Sequence, residues 1–143
     1  MNLTFKEYCL LADTVKMMEQ DTSTLTESQI TSLNEGIVDN IIKMLLAGPK
    51  ALVRFFSGAS KADRVKLTQK TIDAIQRMED EAQKRKAAEA LLALRKKMGH
   101  DMDEVFQTVN ISGYEGSGRV SAAALLRHGE REWVDQLVNA KSQ

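Results

Sequence analysis

The chain has 143 residues, of which 43% are hydrophobic and 28% charged. This length and composition predict one globular domain and exclude an intrinsically disordered chain. Twenty basic and twenty acidic residues give a net charge of zero, which argues against a strong nonspecific DNA-binding protein. A single cysteine, Cys9, excludes an internal disulfide, and one proline with eight glycines favours long helices.

The charges are unevenly distributed along the chain. Residues 1–47 carry seven acidic and three basic residues, whereas residues 61–100 carry eleven basic and six acidic ones. Residues 101–143 are acidic again, with seven acidic and four basic residues. A basic middle between acidic ends favours association between copies of the chain, or a local patch for an anionic partner.

Two helices are predicted in the first third of the chain. Thr4 and Glu7 form the pattern of a capping box, in which a hydroxyl and a carboxylate bind free backbone N–H groups of the first turn. Thr24 and Thr26 offer a similar start for the second helix, which ends at residues 48–49 before a short helix over residues 50–57. Apolar residues at helical spacing form a stripe on each helix: Tyr8, Leu11, Ala12, Val15 and Met18 on the first, and Ile30, Leu33, Ile37, Val38, Ile41, Ile42 and Leu45 on the second.

The longest predicted helix runs from Lys61 to Met98, after the cap residues Ser60 and Asp63. At 1.5 Å per residue it would be about 57 Å long. Its middle, residues 79–86, has almost no apolar face, which is typical of a helix that projects into solvent or pairs with another chain. The sequence therefore predicts a coiled-coil-like helix that projects from a helical body or belongs to an assembly.

The C-terminal third is predicted to be less regular. Gly99 ends the long helix, and a short helix follows over residues 101–106. Residues 108–118 predict a Gly-rich loop with at most one short strand, before two closing helices at residues 121–127 and 130–140. The predicted fold is all-α, in three regions: an N-terminal helical region (1–60), the long helix with a short capping helix (61–107), and the Gly-rich loop with two small helices (108–143).

The sequence contains no motif for catalysis, for a metal or for a cofactor. His100 stands beside Asp101 and Asp103, but no pair of Cys or His residues has zinc-ligand spacing. Cys9 lies beside the apolar stripe of the first helix, where a small half-buried residue is expected. We therefore predict no catalytic residue, no metal and no cofactor.

Residues 113–121 resemble part of a phosphate-binding loop, with glycine at the first and sixth positions. Arg119 replaces the lysine of that motif, Val120 replaces the hydroxyl residue that binds Mg²⁺, and no flanking α/β units are predicted. Two interpretations stay open. The segment is either a flexible connection to the terminal helices, or a Gly-rich backbone at which Arg119 holds one phosphate of a nucleic acid.

Two basic runs lie eleven residues apart on the predicted long helix. Because eleven residues are close to three helical turns, both runs recur on the same side and form a candidate stripe for phosphates. The alternative is a solvated face that is balanced by neighbouring acidic residues. The candidate basic stripe consists of Lys84, Arg85, Lys86, Arg95, Lys96 and Lys97.

Near the C-terminus stand Tyr114, Gly116, Gly118 and Arg119, then a predicted helix, Gly129, and a final helix with Trp133 and Leu137. This pattern resembles the DNA-binding end of H-NS-type bacterial nucleoid proteins, which join a coiled-coil oligomerisation region to a small DNA-binding domain. The resemblance covers about the last sixty residues. The family's β-hairpin before the motif is missing or shortened here, its basic linker is absent, and residues 120–121 replace the proline after the motif arginine. The resemblance implies that Gly116, Gly118 and Arg119 enter the minor groove of AT-rich DNA.

The sequence as a whole predicts a non-catalytic, self-associating helical interaction protein. In one interpretation, a homo-oligomer contacts DNA through the basic stripe, Gly116, Gly118 and Arg119. In the other, the protein is a helical assembly component, such as a scaffold, a chaperone or a virion structural subunit, that binds other protein chains. No signal peptide or membrane span is predicted, so we expect a cytoplasmic protein, or a virion protein if a phage or mobile element encodes it.

Overall fold

The computed structural model describes residues 3–47, 50–113 and 118–139. Within them the chain forms eight α-helices and one two-stranded sheet, which confirms the predicted all-α fold. None of these helices is long and apolar enough to cross a membrane. In chain order the elements are α1 (Phe5–Met18), α2 (Glu27–Ala47), α3 (Lys50–Ser57), α4 (Lys61–Arg77), α5 (Glu81–Met98), α6 (His100–Thr108), β1 (Asn110–Ser112), β2 (Arg119–Ser121), α7 (Ala122–Leu126) and α8 (Glu130–Asn139).

Capping boxes start the first two helices. The Glu7 backbone N–H donates to Thr4 Oγ1 at 3.1 Å, and the Thr4 N–H donates to Glu7 Oε1 at 3.2 Å, which confirms the capping box predicted for α1. Of the two starts offered for α2, the structure uses Thr26. The Gln29 N–H donates to Thr26 Oγ1 at 3.1 Å, and the Thr26 N–H donates to Gln29 Oε1 at 2.8 Å. These bonds satisfy donors that a first helical turn leaves free. The predicted stop at residues 48–49 lies outside the described residues.

The prediction of one long, projecting helix is wrong: α4 and α5 are separate helices joined by residues 78–80. Met78 has an extended backbone (φ −62°, ψ 146°), which ends α4. Asp80 starts α5, because its carboxylate accepts two backbone N–H groups of the first turn at 2.9 and 3.2 Å. The polar run at residues 79–86 is therefore a connection and the start of a new helix, and α5 packs against α4.

α5 occupies the centre of the fold. It contacts α2, α3, α4, α6 and α8, and its Ala88, Leu91 and Leu94 are almost completely buried. Trp133 of α8 is also fully buried and stacks on Phe106 of α6, with ring centroids 5.6 Å apart and an interplanar angle of 10°. One continuous hydrophobic core contains residues from α2 through α8, so all three predicted regions contribute to it.

The Gly-rich segment connects the strands of a short β-hairpin. β1 and β2 are antiparallel, with Ile111 opposite Val120, where the sequence predicted at most one strand. The Gln69 side chain of α4 fixes this hairpin, since its amide donates to the Asn110 carbonyl at 2.9 Å and its carbonyl accepts the Asn110 N–H at 2.8 Å. The left-handed backbone of Gly118 (φ 91°) suits the return into β2. The two predicted closing helices follow as α7 and α8.

Candidate interaction surfaces

The structure divides the six residues of the predicted basic stripe into three groups. Lys84 lies on the inner face of α5, where its residue surface is only 7% exposed. It lies one helical turn before the buried Ala87 and Ala88 on that face. Lys84 therefore offers little surface to a phosphate. A lysine stem is apolar enough to be buried in a helix interface, and a basic run in the sequence does not show which of its lysines are buried in this way.

Three other cations of the stripe are held in ion pairs within the chain. Arg85 Nη1 lies 3.0 Å from the Asp135 carboxylate and Lys96 Nζ lies 2.5 Å from that of Glu130, so both cations bind α8. Arg95 Nε lies 3.0 Å from the Asp103 carboxylate of α6 and its guanidinium stands 5.8 Å from the centre of the Phe106 ring. These pairs are partly exposed, so each contributes only modestly to stability. They do, however, partly neutralise the charge that the stripe would offer to a phosphate backbone.

The remaining predicted contacts are scattered. Lys86 and Lys97 are exposed on α5, and Arg119 is exposed at the start of β2 beside exposed Gly118. In the part of the chain that the structure describes, none of these three cations forms an ion pair. Gly116 lies outside the described residues. The structure thus leaves three free cations of the predicted set, rather than a continuous stripe.

A surface that the sequence analysis did not single out lies on α1. Across residues 3–47, 50–113 and 118–139, the exposed large hydrophobic residues are Phe5 (84% exposed), Tyr8 (60%) and Val15 (37%), and all three are on this helix. Ala12 is exposed between them. Their spacing of three, four and three residues places them on one side of a helix. We call Phe5, Tyr8, Ala12 and Val15 the α1 stripe.

The face of α1 that turns towards the protein is unusually polar. Its two buried residues are Glu7 and Thr14, whereas apolar Leu10 and Met17 are only half-buried. The Thr14 hydroxyl donates to the Leu10 carbonyl at 2.6 Å, but Glu7 Oε2 is buried with no hydrogen-bond partner among the described residues. Of the apolar stripe predicted from the sequence, Leu11 and Met18 are half-buried, while Tyr8, Ala12 and Val15 face outwards. The helix therefore has apolar residues on two sides, and the chain covers only one.

The part of the chain that the structure describes contains several shallow clefts. One of about 630 Å³ lies between α2 and α4 and carries charges of both signs on Glu35, Asp39, Lys70, Asp73 and Arg77. Burial of the Lys70 amine, followed by repulsion from Lys66, lowers its pKa. No histidine or cysteine lines this cleft. A smaller cleft of about 310 Å³ runs along the α1 stripe between Tyr8 and Glu19.

The residues considered for metal binding or catalysis are separated in space or engaged elsewhere. His100 Nε2 lies 3.1 Å from the Glu104 carboxylate, and Glu104 also lies 3.4 Å from Lys61 Nζ. The hydrogen bond and charge of Lys61, together with the charge of His100, hold the pKa of Glu104 below its usual value. Cys9 is exposed on α1 rather than half-buried. Within the described ranges, no group of three or more His, Cys, Asp or Glu side chains is placed to hold a metal ion.

Comparisons of the chain with protein families, with curated proteins and with solved structures found no significant match. The resemblance to H-NS-type proteins therefore stays a prediction from the sequence. Function has to be inferred from the surfaces themselves.

Proposed function

We propose that this protein is a non-catalytic helical assembly protein that associates with other copies of itself through the α1 stripe. The observation that carries this proposal is the position of the exposed large hydrophobic residues, which line one side of one helix. Isolated exposed apolar residues are common on any protein surface, but a row of them at helical spacing is typical of a face that binds another chain.

The size of the stripe indicates how strong the association is. A buried aromatic side chain contributes about 150–250 Å² of surface, so Phe5 and Tyr8 with Ala12 and Val15 expose roughly 300–400 Å². Two such patches bury less than the roughly 1,200 Å² of a stable interface. We therefore expect a weak association that depends on protein concentration, not a permanent oligomer.

Binding to nucleic acid has less support from the structure. A phosphate contact needs exposed cations without partners, and three of the seven predicted cations are in ion pairs while a fourth is buried. The exposed cations Lys86, Lys97 and Arg119 remain as candidates for such contacts. Whether these cations bind DNA can be tested in the same experiment as self-association.

The experiment is light scattering after size exclusion, with and without a short DNA duplex, at about 50 mM and about 200 mM salt. Ala12→Glu places a charge in the middle of the stripe, and Ala62→Glu is the matched control at an exposed alanine of α4. We expect the wild type and the control to gain mass with concentration at both salt values, with and without the duplex. Ala12→Glu should remain a monomer.

Two results would contradict the proposal. One is a wild-type protein that remains a monomer up to about 1 mM, a concentration at which even weak association is detectable. The other is self-association that Ala12→Glu leaves unchanged. A shift with the duplex only at low salt, lost in a Lys86→Glu, Lys97→Glu, Arg119→Glu variant, would establish the nucleic-acid function instead.

A further inference from the structure

We infer that the α1 stripe binds the α1 stripe of a second copy, in an antiparallel pair of helices related by a two-fold axis near residue 10. This inference rests on the proposed function and adds the surface that the stripe contacts, the orientation of the two helices and the number of copies. It makes the assembly a closed dimer, because a surface that pairs with itself around a two-fold axis leaves no free site for a third copy.

The distribution of apolar surface identifies the contacted surface. Over the described ranges, the exposed large hydrophobic residues all belong to α1, so no comparable apolar surface exists elsewhere for the stripe to cover. If the stripe bound another face of the second copy, Phe5 and Tyr8 would contact polar and charged side chains. Those side chains would lose their hydration and gain no hydrogen-bond partner in return. Among the described surfaces of a second copy, the α1 stripe is the one that offers an apolar surface of the same length.

The spacing of the stripe makes it complementary to itself in the antiparallel orientation. Its four residues are symmetric about residue 10, since Phe5 and Val15 lie five positions on either side, and Tyr8 and Ala12 lie two positions on either side. A two-fold axis there places Phe5 against the partner's Val15 and Tyr8 against the partner's Ala12. Each aromatic ring then meets a smaller side chain, as close packing of two helices requires.

The parallel orientation fits less well. It would place Tyr8 against the partner's Tyr8 and leave a gap where Ala12 met the partner's Ala12. It would also bring together the exposed like charges at the end of the stripe, Lys16 with the partner's Lys16 and Glu19 with the partner's Glu19. In the antiparallel pair, Lys16 lies near the partner's position 4, about 18 Å along the axis from the partner's Lys16. The helix dipoles are then opposed, which is also favourable.

Disulfide trapping tests both the contact and the orientation. The native thiol is removed by Cys9→Ser, and Phe5→Cys and Val15→Cys are made in separate chains, one of them lengthened by a tag. After mild oxidation of a mixture, a non-reducing gel separates the three dimers by length. The antiparallel pair predicts the mixed Phe5→Cys with Val15→Cys dimer. Either variant alone should remain largely uncrosslinked, since like positions are about 15 Å apart, beyond the roughly 7 Å between Cα atoms that a disulfide spans.

Asp13→Cys, exposed on α1 but outside the stripe, is the control for random collisions. Crosslinking of each single variant with itself would establish the parallel pair and overturn the inference. Crosslinking no faster than that of the Asp13→Cys control would also overturn it. If the Ala12→Glu variant still had a lower mass than the wild type under either result, the proposal of self-association through the stripe would be retained and only the antiparallel pairing would be lost. Oligomers that grew without limit at high concentration would show that the stripe binds a different surface of the next copy.

Discussion

The first and last helices of the described chain, α1 and α8, use their apolar residues in opposite ways. α8 packs against α4, α5 and α7, buries Trp133 and Leu137 completely and exposes charged residues to solvent. α1 buries Glu7 and Thr14 and exposes Phe5 and Tyr8. Both helices are amphipathic, but only α8 places its largest apolar residue inside its own chain.

This difference shows that the neighbours of an amphipathic helix determine which of its residues are buried. α8 enters a site where the Phe106 ring offers a flat apolar surface, and its charged face is held by ion pairs to α5. α1 contacts α2 and α3 through half-buried aliphatic residues, and its large apolar residues find no partner in the described chain. Burial in α8 therefore supports the fold, while exposure in α1 is the basis of the proposed self-association.

Replacing the largest apolar residue of each helix gives the largest contrast. Trp133→Ala should lower the free energy of unfolding by about 3–5 kcal/mol, because it removes a fully buried ring and leaves a cavity. Phe5→Ala, at an exposed ring, should change it by less than about 0.5 kcal/mol. Urea unfolding followed by far-ultraviolet circular dichroism at low protein concentration measures both. Equal losses in the two variants would show that α1 is buried as α8 is.

Removing the N-terminal cap of α1 should give the next largest loss of stability. Thr4→Ala removes the oxygen that accepts the Glu7 N–H, and should cost about 1 kcal/mol of helix stability. Because α1 is held by half-buried contacts, we expect the loss to show as faster amide exchange in α1 with little change in α8. Thr4→Ser keeps the hydroxyl and is the control. Uniformly faster exchange in both helices would mean that α1 and α8 unfold as one unit.

The ion pairs of α8 give a smaller effect. Asp135→Asn leaves Arg85 without its partner, and should cost about 0.2–1 kcal/mol, since both side chains are partly exposed. A double-mutant cycle with Arg85→Gln measures the coupling, which should shrink as salt is added. A coupling of zero at low salt would mean that the pair of Arg85 and Asp135 does not help to hold α8.

The smallest effect is a pH dependence in the contact between α4 and α6. The pKa of Glu104 is lowered in the folded protein, so its carboxylate contributes stability above the unfolded pKa, and that contribution disappears as pH falls through the lowered pKa. The wild type should therefore unfold at a higher temperature than Glu104→Gln at neutral pH, and the difference should vanish in acid. Glu19→Gln, at the exposed end of α1, controls for losing one carboxylate. A difference that grew in acid would have the wrong sign.

Local signals in the sequence predicted most of the fold. The capping box at Thr4 and Glu7, the glycine at residue 99 and the two closing helices depend on neighbouring residues, and each is found where it was predicted. The break between α4 and α5 was missed because residues 79–86 contain no proline or glycine. Asp80 was the available signal, since aspartate is a preferred N-cap.

The candidate surfaces were harder to predict because they depend on which face the fold covers. Lys84 looked exposed in a basic run, yet packing of α5 at the centre of the fold buries it. Tyr8, Ala12 and Val15 belonged to the apolar stripe that helical spacing predicted. Leu10 and Met17 form a second apolar set on the other side of α1, and it is this side that packs against the protein. Spacing shows that a helix has an apolar side, and only tertiary structure shows which side remains open.

The most direct test of the α1 stripe as the interface is a dilution series of two-dimensional amide NMR spectra. From about 1 mM down to about 20 µM, a range in which weak association changes markedly, we expect concentration-dependent shifts on α1 near Phe5, Tyr8, Ala12 and Val15. The amides of α5 and α8 should not move, and Ala12→Glu should abolish the shifts on α1. Shifts centred on Lys86 and Lys97, or spectra that do not change with concentration, would contradict self-association through α1.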